Sequence, residues 1–492
     1  MKKLLVIIIC FCCSIVYGQN SSKKTLTLND AINIACDSSL SAFKNKNLYM
    51  SAYWQYRNFK ADMLPSLTWN ITPIEFSRYL TMRYDSEDNI DIYREQKSYS
   101  TGTGLKLNQN FIPLGGSFYI ETNLNYLKNF GDNTYEQYSG VPIMIGYSNQ
   151  VLGYNSFKWD RRIEPLKYER NKIEYISNSE QVSIETMQYF FAAISAQMNY
   201  QSALFQLNNC DTLVAIAERK MKYLSVEKSD LLSLKADVLS AKNRLSQTII
   251  ALDKARSELF NFLRINDFND IELVMPESPD SIEFDLNLAI EMAKKYSTSI
   301  LEQQETILEK ERQLDEINKT TRFNASVSAS VGFNQVAENI SGVYKDPLEQ
   351  DLALISVQVP LLDWSKGKGK RNIAKNELEI SKIEIEQRIN KIEQDVINYI
   401  AEISTRREIL INNYKVLDLA QEVYQQQIKK FQNGNLDVTS ISMAQSKLET
   451  AQSDYLSSIS EYWQCYYQLR KLTLYDFENK ISLSEKFDFE NL

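Results

Sequence analysis

Two very long helical stretches constrain the fold of this chain more than any other feature. The sequence predicts long helices from about Lys158 to Leu224 and from about Ser365 to Phe431. At 1.5 Å per residue, a helix of about 65 residues is about 100 Å long, which is longer than a compact enzyme core needs. A medium helix and a short alternating segment precede each stretch, and a sharp break and another helix follow it. The chain thus repeats one arrangement over residues 27–264 and 284–472, which favours a tube-like assembly over a catalytic pocket.

Apolar residues in the helices recur at alternating steps of three and four, the spacing of antiparallel coiled coils. Many of these positions hold Ala, Ser, Thr or Tyr, which make weaker seams than Leu or Ile. We therefore expect neighbours on both sides of each helix, as in a wall of helices; the alternative is an ordinary bundle with one closed core. The stripes include Leu207, Cys210, Val214, Ala217 and Met221; Leu234, Val238, Ala241 and Leu245; Ile385, Ile389, Ile392 and Val396; and Ala444, Leu448, Ala451 and Tyr455.

Short alternating segments lie between the helices. From Phe323 to Phe333 apolar residues alternate with small polar ones. A tilted strand crosses a bilayer in about 9–11 residues, and an apolar-out, polar-in alternation is typical of a membrane β-barrel. The alternative is a half-buried strand of a soluble sandwich. The sequence predicts strands at about residues 64–79, 141–152, 322–334 and 351–360.

The first half carries an insertion, residues 80–140, that has no counterpart in the second half. Within it, residues 102–111 and 117–127 form a predicted hairpin whose turn contains Gly115 and Gly116. The hairpin either projects beyond the membrane or adds two strands to the barrel. The sequence leaves both possibilities open.

The N-terminal residues indicate export. Two lysines, an apolar run and a small residue before Gln19 predict a signal peptide. No later stretch reaches 18 consecutive apolar residues, so the sequence predicts no transmembrane helix. We expect residues 477–492 to lie along the outside of the tube or to be mobile. The predicted organisation is a signal peptide, 1–18; a first repeat, 19–269; a linker, 270–283; a second repeat, 284–476; and a C-terminal tail, 477–492.

Composition excludes several functional classes. The chain has no histidine and only 14 glycines, and it lacks a glycine-rich phosphate loop, so we expect neither an enzyme nor a metal or cofactor site. The net charge of −8 argues against nucleic acid as a partner. Three cysteines would remain after export, Cys36, Cys210 and Cys465. Their odd number and wide spacing predict buried free thiols.

Short motifs occur in matching places of the two halves. In this order they resemble the TolC-like outer-membrane efflux protein family, over nearly the whole mature chain. The motifs are residues 64–67 (LPSL), 153–161 (GYNSFKWDR), 359–364 (VPLLDW), 444–451 (AQSKLETA) and 469–476 (LRKLTLYD).

The resemblance implies a mainly α protein with a membrane β-part, built from a duplicated helix, strand-pair and long-helix unit. Three identical subunits would each give four strands to a shared outer-membrane barrel and their helices to a periplasmic tunnel. The implied partners are a periplasmic membrane-fusion adaptor and an inner-membrane pump of the RND or ABC type. The implied function is a passive exit duct for tripartite efflux or type I secretion. The alternative is a periplasmic coiled-coil adaptor without its own pore.

In this family the gate lies where each long helix turns back. The resemblance therefore gives Ser229, Asp230, Phe431, Gly434 and Asp437 as gate candidates. The two acidic positions common just beyond the second turn read Ser440 and Met443 here, and Asp437 lies one turn earlier. The alternative role of Asp230 and Asp437 is simple N-capping of the returning helix.

Basic residues cluster at the start of both long helices. In the implied topology both clusters lie just below the membrane, so we expect them to contact phospholipid head groups. The alternative is that these basic side chains are simply solvated and contact no lipid. The clusters are Lys158, Arg161 and Arg162 in the first half, and Lys366, Lys368, Lys370 and Arg371 in the second.

Overall fold

The structure is a computed structural model that describes most of the chain. The predicted signal peptide and the gate candidates Gly434 and Asp437 lie outside the described residues. The described residues are 24–85, 89–113, 115–130, 134–151, 153–221, 228–266, 271–276, 282–321, 323–432, 438–485 and 487.

The two long periodic stretches form helices α3 and α7, of 66 and 67 residues. Shorter helices precede each of them, and a 36-residue helix follows each of them. In chain order the helices are α1 (Leu28–Ser38), α2 (Leu40–Ala61), α3 (Ser156–Met221), α4 (Lys228–Leu263), α5 (Leu286–Lys295), α6 (Thr298–Thr320), α7 (Lys366–Gln432) and α8 (Val438–Thr473).

Helix α1 begins with a capping box. The Thr27 hydroxyl accepts a hydrogen bond from the Asp30 backbone N–H at 3.2 Å, and the Asp30 carboxylate accepts one from the Thr27 N–H at 3.4 Å. This arrangement satisfies two backbone donors that the first turn leaves free. The N-cap residue of α1 is therefore Thr27.

Six strands form one antiparallel sheet, in the order β2-β3-β4-β5-β7-β8. The sheet has six strands rather than the four that the resemblance implies for the barrel, because the inserted hairpin supplies β3 and β4 in the middle of the sheet. A separate parallel pair joins β1 (Lys24–Leu26) to β6 (Ile271–Leu273). Of these two strands, β6 lies inside the predicted linker. The strands of the large sheet are β2 (Ser66–Asp85), β3 (Ile90–Phe111), β4 (Gly116–Asn129), β5 (Tyr135–Val151), β7 (Asn324–Ala337) and β8 (Leu348–Gln358).

The chain folds into two compact units, and each takes segments from both halves of the sequence. The helical unit contains residues up to 48, 173–297 and from 391 onward. The sheet unit contains residues 49–172 and 298–390. Helices α3 and α7 contribute residues to both units, so the sequence repeats and the compact units have different boundaries.

The C-terminal segment is folded rather than loose. Strands β9 (Tyr475–Asp476) and β10 (Ile481–Ser482) pair as a short hairpin. Leu483 packs in a buried cluster with Ile176 and Leu474, and Phe477 is only 4 % exposed. Residues 477–485 are therefore packed rather than mobile, because their apolar side chains complete a core, and a place on the outside of the tube stays a prediction.

The three described cysteines form no disulfide. Cys210 and Cys465 are buried as predicted, whereas Cys36 is exposed, which corrects the prediction for that residue. Burial raises the pKa of the Cys465 thiol to about 11. Among the described helices, none combines the length and the hydropathy required to cross a membrane. The described residues contain no group of three metal-binding side chains.

Candidate functional site

One face of the six-stranded sheet is largely apolar, although the residue of β8 that stands opposite Val331 is Asp351. Leu67, Leu107, Ile120, Ile145 and Val331 stand opposite one another in one row across strands β2, β3, β4, β5 and β7. At least 41 % of the surface of Leu67, Ile120, Ile145 and Val331 is exposed in the single chain. Apolar side chains in such a row are stable only if lipid or another protein covers them.

From β3 to β7 the other face of the sheet is mostly polar or small, whereas β8 places Leu352 and Leu354 on it. The row next to the apolar one contains Asn108, Tyr119, Gly146 and Ser330. Successive residues of a strand point to opposite faces, so the two rows lie on opposite sides of one wall. Together they show the alternation typical of a sheet with lipid on one side and water on the other.

Aromatic rings border the apolar face at both of its ends. Phe118 and Tyr147 lie with ring centroids 4.5 Å apart near the ends of the strands that join the helices. Near the opposite ends, Tyr126 lies 6.3 Å from Tyr99 and 5.0 Å from Tyr138. Phe118 and Tyr126 are eight residues apart in β4, about 27 Å along the strand at ~3.4 Å per residue. Aromatic girdles on either side of an apolar band mark the two interfaces of a membrane barrel.

The two edge strands of the sheet are open. Within the described chain, β2 pairs only with β3, and β8 pairs only with β7. Strand β8 also exposes large apolar side chains, with Ile355 at 72 % and Val357 at 59 %. An edge with free backbone groups and exposed apolar residues is a template for pairing with another strand.

Polar side chains cap the long helices where they leave the sheet. The Asn155 side-chain oxygen accepts a hydrogen bond from the Lys158 N–H at 3.2 Å. The Asp363 carboxylate accepts hydrogen bonds from the backbone N–H groups of Ser365 and Gly367, both at 2.9 Å. The bond from Gly367 is the main cause that lowers the pKa of Asp363. The matching motifs 153–161 and 359–364 thus each supply the side chain that caps the start of a long helix.

The basic clusters lie in the first turns of the helices that these caps begin. Arg162 is half exposed; its guanidinium lies 4.8 Å from the Trp159 ring centroid and 3.9 Å from the Glu311 carboxylate. Arg371 is partly buried. The other members are exposed, namely Lys158, Arg161, Arg162, Lys366, Lys368 and Lys370.

At the far ends of the long helices, α3, α4, α7 and α8 share one hydrophobic core. Its members belong to the last turns of α3 and α7 and to the first turns of α4 and α8. It joins the helical hairpin of the first half to that of the second half. Its buried members are Leu213, Ala217, Leu231, Leu234, Tyr424, Ile441, Ala444 and Leu448.

Polar contacts tie the same four helices together. Asn209 of α3 donates a hydrogen bond to the Tyr424 hydroxyl of α7 at 2.8 Å. Arg244 of α4 lies 2.5 Å from the Glu449 carboxylate of α8 and donates to Gln206 of α3 at 3.2 Å. Burial raises the pKa of Tyr424 to about 12, so the hydroxyl stays neutral at physiological pH. These contacts link α3 and α4 of the first half to α7 and α8 of the second half.

The structure describes only part of the predicted gate. Ser229 and Asp230 lie exposed in the first turn of α4, where a carboxylate is favourable to the helix dipole. The backbone of Phe431 belongs to the last turn of α7. Of the two positions that are often acidic in the family, Ser440 is partly buried and Met443 is 62 % exposed.

A buried charge network was missed at the sequence level. The Arg470 guanidinium lies 3.0 Å from the Glu180 carboxylate and 3.7 Å from Asp476, and the Tyr466 hydroxyl donates to Asp476 at 3.3 Å. The side chains of Glu180 and Asp476 are only 6 % and 2 % exposed. Arg470 and Asp476 lie in one recognised motif, but nothing in the sequence pairs them with Glu180, which is 290 residues away from Arg470.

Solved structures of outer-membrane channels share this fold. The CmeC outer membrane channel of Campylobacter jejuni matches with a TM-score of 0.64 and 13 % identity, covering 94 % of this chain and 90 % of that one. The MtrE outer membrane channel of Neisseria gonorrhoeae matches with a TM-score of 0.59 and 14 % identity, covering 91 % and 88 %. The outer membrane protein VceC of Vibrio cholerae matches with a TM-score of 0.61 and 11 % identity, covering 91 % and 95 %. The chain therefore has the fold of outer-membrane channel proteins.

The family comparison agrees with the fold. Residues 307–473 match the model of the outer membrane efflux protein family. The predicted resemblance to that family is confirmed. No curated protein matches the chain.

Proposed function

We propose that this protein forms a passive exit duct across the outer membrane. The observation that carries the proposal is the sheet, which has an apolar face bordered by aromatic rings and a polar face behind it. Such a wall separates lipid from water. The family match over residues 307–473 and the fold shared with outer-membrane channels support the same function.

The open sheet edges support an assembly of identical subunits. A backbone edge in lipid must be paired, because no water is present to satisfy its hydrogen-bonding groups. In the proposed homotrimer, β8 of one copy pairs with β2 of the next and closes a shared barrel. The helices form the periplasmic tunnel, which receives substrates from a membrane-fusion adaptor and an RND or ABC pump. The pump determines whether the cargo is a small molecule or a secreted protein.

A periplasmic coiled-coil adaptor without its own pore is the second candidate. That function would use the long helices, but it gives no role to a six-stranded sheet with an apolar face. The sheet therefore favours the channel.

The turns of the long helices form the proposed gate. Asp230 and its two symmetry mates would face one axis, and Asp437 is the second carboxylate that the resemblance gives for the gate. Carboxylates that surround a pore attract cations and repel one another. Ser229 would position the first turn of α4, and Phe431 and Gly434 would shape the second turn.

The proposed function is tested by the mass and conductance of protein extracted from outer membranes in mild detergent. We expect a particle with three times the mass of the mature chain, and step-like ion currents when it is added to a planar lipid bilayer. A soluble periplasmic monomer without conductance would favour the adaptor instead.

The same recordings test the gate. Replacing Asp230 with asparagine should lower the cation-to-anion permeability ratio about twofold, because three carboxylates leave the pore entrance. Asp253→Asn is the matched control, since Asp253 is an exposed carboxylate in the interior of the same helix. If both variants had the same cation-to-anion permeability ratio, Asp230 would not be a gate residue.

The basic clusters are the proposed membrane-interface anchors. Replacing all seven residues with glutamine should weaken association with vesicles that contain anionic phospholipid, by about 1 kcal/mol for each charge at the surface. Vesicle flotation and the melting temperature of the trimer in those vesicles measure the effect. Unchanged values would mean that the clusters are merely solvated.

The matched control replaces seven exposed lysines elsewhere on helices α4, α7 and α8 with glutamine. It changes the net charge by the same amount, so an effect of total charge would appear in both variants. The control positions are Lys242, Lys254, Lys391, Lys415, Lys429, Lys430 and Lys447.

A further inference from the structure

The inserted hairpin, strands β3 and β4, is built into the middle of the sheet. We propose that it adds two strands per subunit to the barrel wall, so that three copies of the six-stranded sheet close an eighteen-stranded barrel, and that Lys106 and Glu121 line its water-filled interior. This inference rests on the proposed function.

The hairpin is hydrogen-bonded on both of its sides. Strand β3 pairs with β2 from Asn108 to Ile90, with one register shift, and with β4 from Phe111 to Ser98. Strand β4 then pairs with β5 from Ser117 to Asn129. A hairpin that projected freely from the membrane would pair only with itself. Among the described strands, β2 and β5 are joined through β3 and β4 alone, so the wall is continuous only if the hairpin belongs to it.

The turn of the hairpin is fixed beside the start of α3 and the end of α2. The Asn155 side chain, which caps α3, donates a hydrogen bond to the Ile112 carbonyl at 2.8 Å. Gln109 donates to the Met63 carbonyl after α2, at 2.9 Å. Gly115 has a φ of +80°, and a Cβ at this position would lie 2.8 Å from the Asn155 side chain. These contacts hold the hairpin at the same level as the other strands of the sheet.

The hairpin continues both faces of the wall. Leu105, Leu107 and Ile120 extend the apolar face. Lys106 and Glu121 stand opposite each other on the polar face, with the ammonium 3.0 Å from the carboxylate. Charged side chains in the lipid-facing row of a barrel are strongly disfavoured, whereas those in the lumen tune its selectivity. The charged pair therefore belongs on the interior side.

The additional strands change the size of the exit. Barrel diameter grows roughly linearly with strand number. An eighteen-stranded wall is therefore about half as wide again as the twelve-stranded wall that the same subunits would build without β3 and β4. A wider exit suits bulkier cargo.

Cysteine accessibility tests the inference. In a background with Cys36, Cys210 and Cys465 replaced by alanine, single cysteines are placed at Leu105 and Asn108 of β3. The trimer in lipid is then treated with a membrane-impermeant maleimide. We expect Asn108→Cys to react about tenfold faster than Leu105→Cys, because the reactive thiolate forms in water and not in lipid.

The second-half strand β7 is the reference, with single cysteines at Val331 on the apolar face and Ser328 on the polar face. If Ser328→Cys reacts faster than Val331→Cys while the two β3 positions react equally fast, the hairpin lies outside the wall and the inference is wrong, although the channel stands. If neither pair differs, the proposed membrane wall itself is wrong. Recovery of trimer for each variant shows that the substitution leaves the fold intact.

Discussion

Replacing Arg470 with methionine is expected to lower the free energy of unfolding by about 3–5 kcal/mol, because it leaves buried carboxylates without their cation. Glu180 and Asp476 are both almost fully buried, and Arg470 lies between them. This network joins the end of α8 and the segment that follows it to α3. Urea unfolding of the purified protein, followed by circular dichroism, measures the change.

Two further variants separate lost charge pairing from lost packing. Arg470→Lys keeps a cation but loses the planar fork of donors, so its loss should be smaller than that of Arg470→Met. Adding Glu180→Leu to Arg470→Met removes one uncompensated charge and should restore part of the stability. If the double variant were no more stable than Arg470→Met, the buried charge would not be the cause.

An arginine in place of Val331 should prevent assembly in the outer membrane. Val331 lies in the apolar row of the sheet, two residues along β7 from the level of the aromatic border at Tyr147, and an arginine that faces lipid in a barrel costs up to about 2–4 kcal/mol per copy, the value at the midplane. A trimer would bear that cost three times. The amount of trimer in washed outer membranes, compared with the amount in the soluble periplasmic fraction, measures assembly.

Ser328→Arg is the control for this variant. Ser328 lies on the same strand, three residues away, on the polar face. The same side chain there would point into water, so we expect the trimer at near-normal amounts. Equal losses for both variants would contradict the assignment of lipid and water faces.

Local periodicity predicted most of the elements. Heptad spacing is a property of a few turns, so it located α3 and α7 closely. The alternation from Phe323 to Phe333 likewise lies almost entirely within β7. Strand pairing depends on residues far apart in the chain, so the sequence left the place of the inserted hairpin open. The three-residue pair β1 and β6 is too short for any periodic signal.

The candidate site shows the same limit. Repeated motifs located the helix starts, where Asn155 and Asp363 act as caps. The partners of Arg470 were not predictable, since Glu180 belongs to the other half of the chain. The gate remains a prediction at Gly434 and Asp437, and Cys36 shows that a helical position alone does not predict burial.

Each compact unit is assembled from both halves of the chain, and this has a consequence for how such a protein can arise. A gene cut in the 270–283 segment would encode two fragments, and neither would contain all the segments of either unit. An ancestor with a single repeat would therefore have needed a second copy of itself to fold. Joining both repeats in one chain supplies every segment of each unit from a single polypeptide.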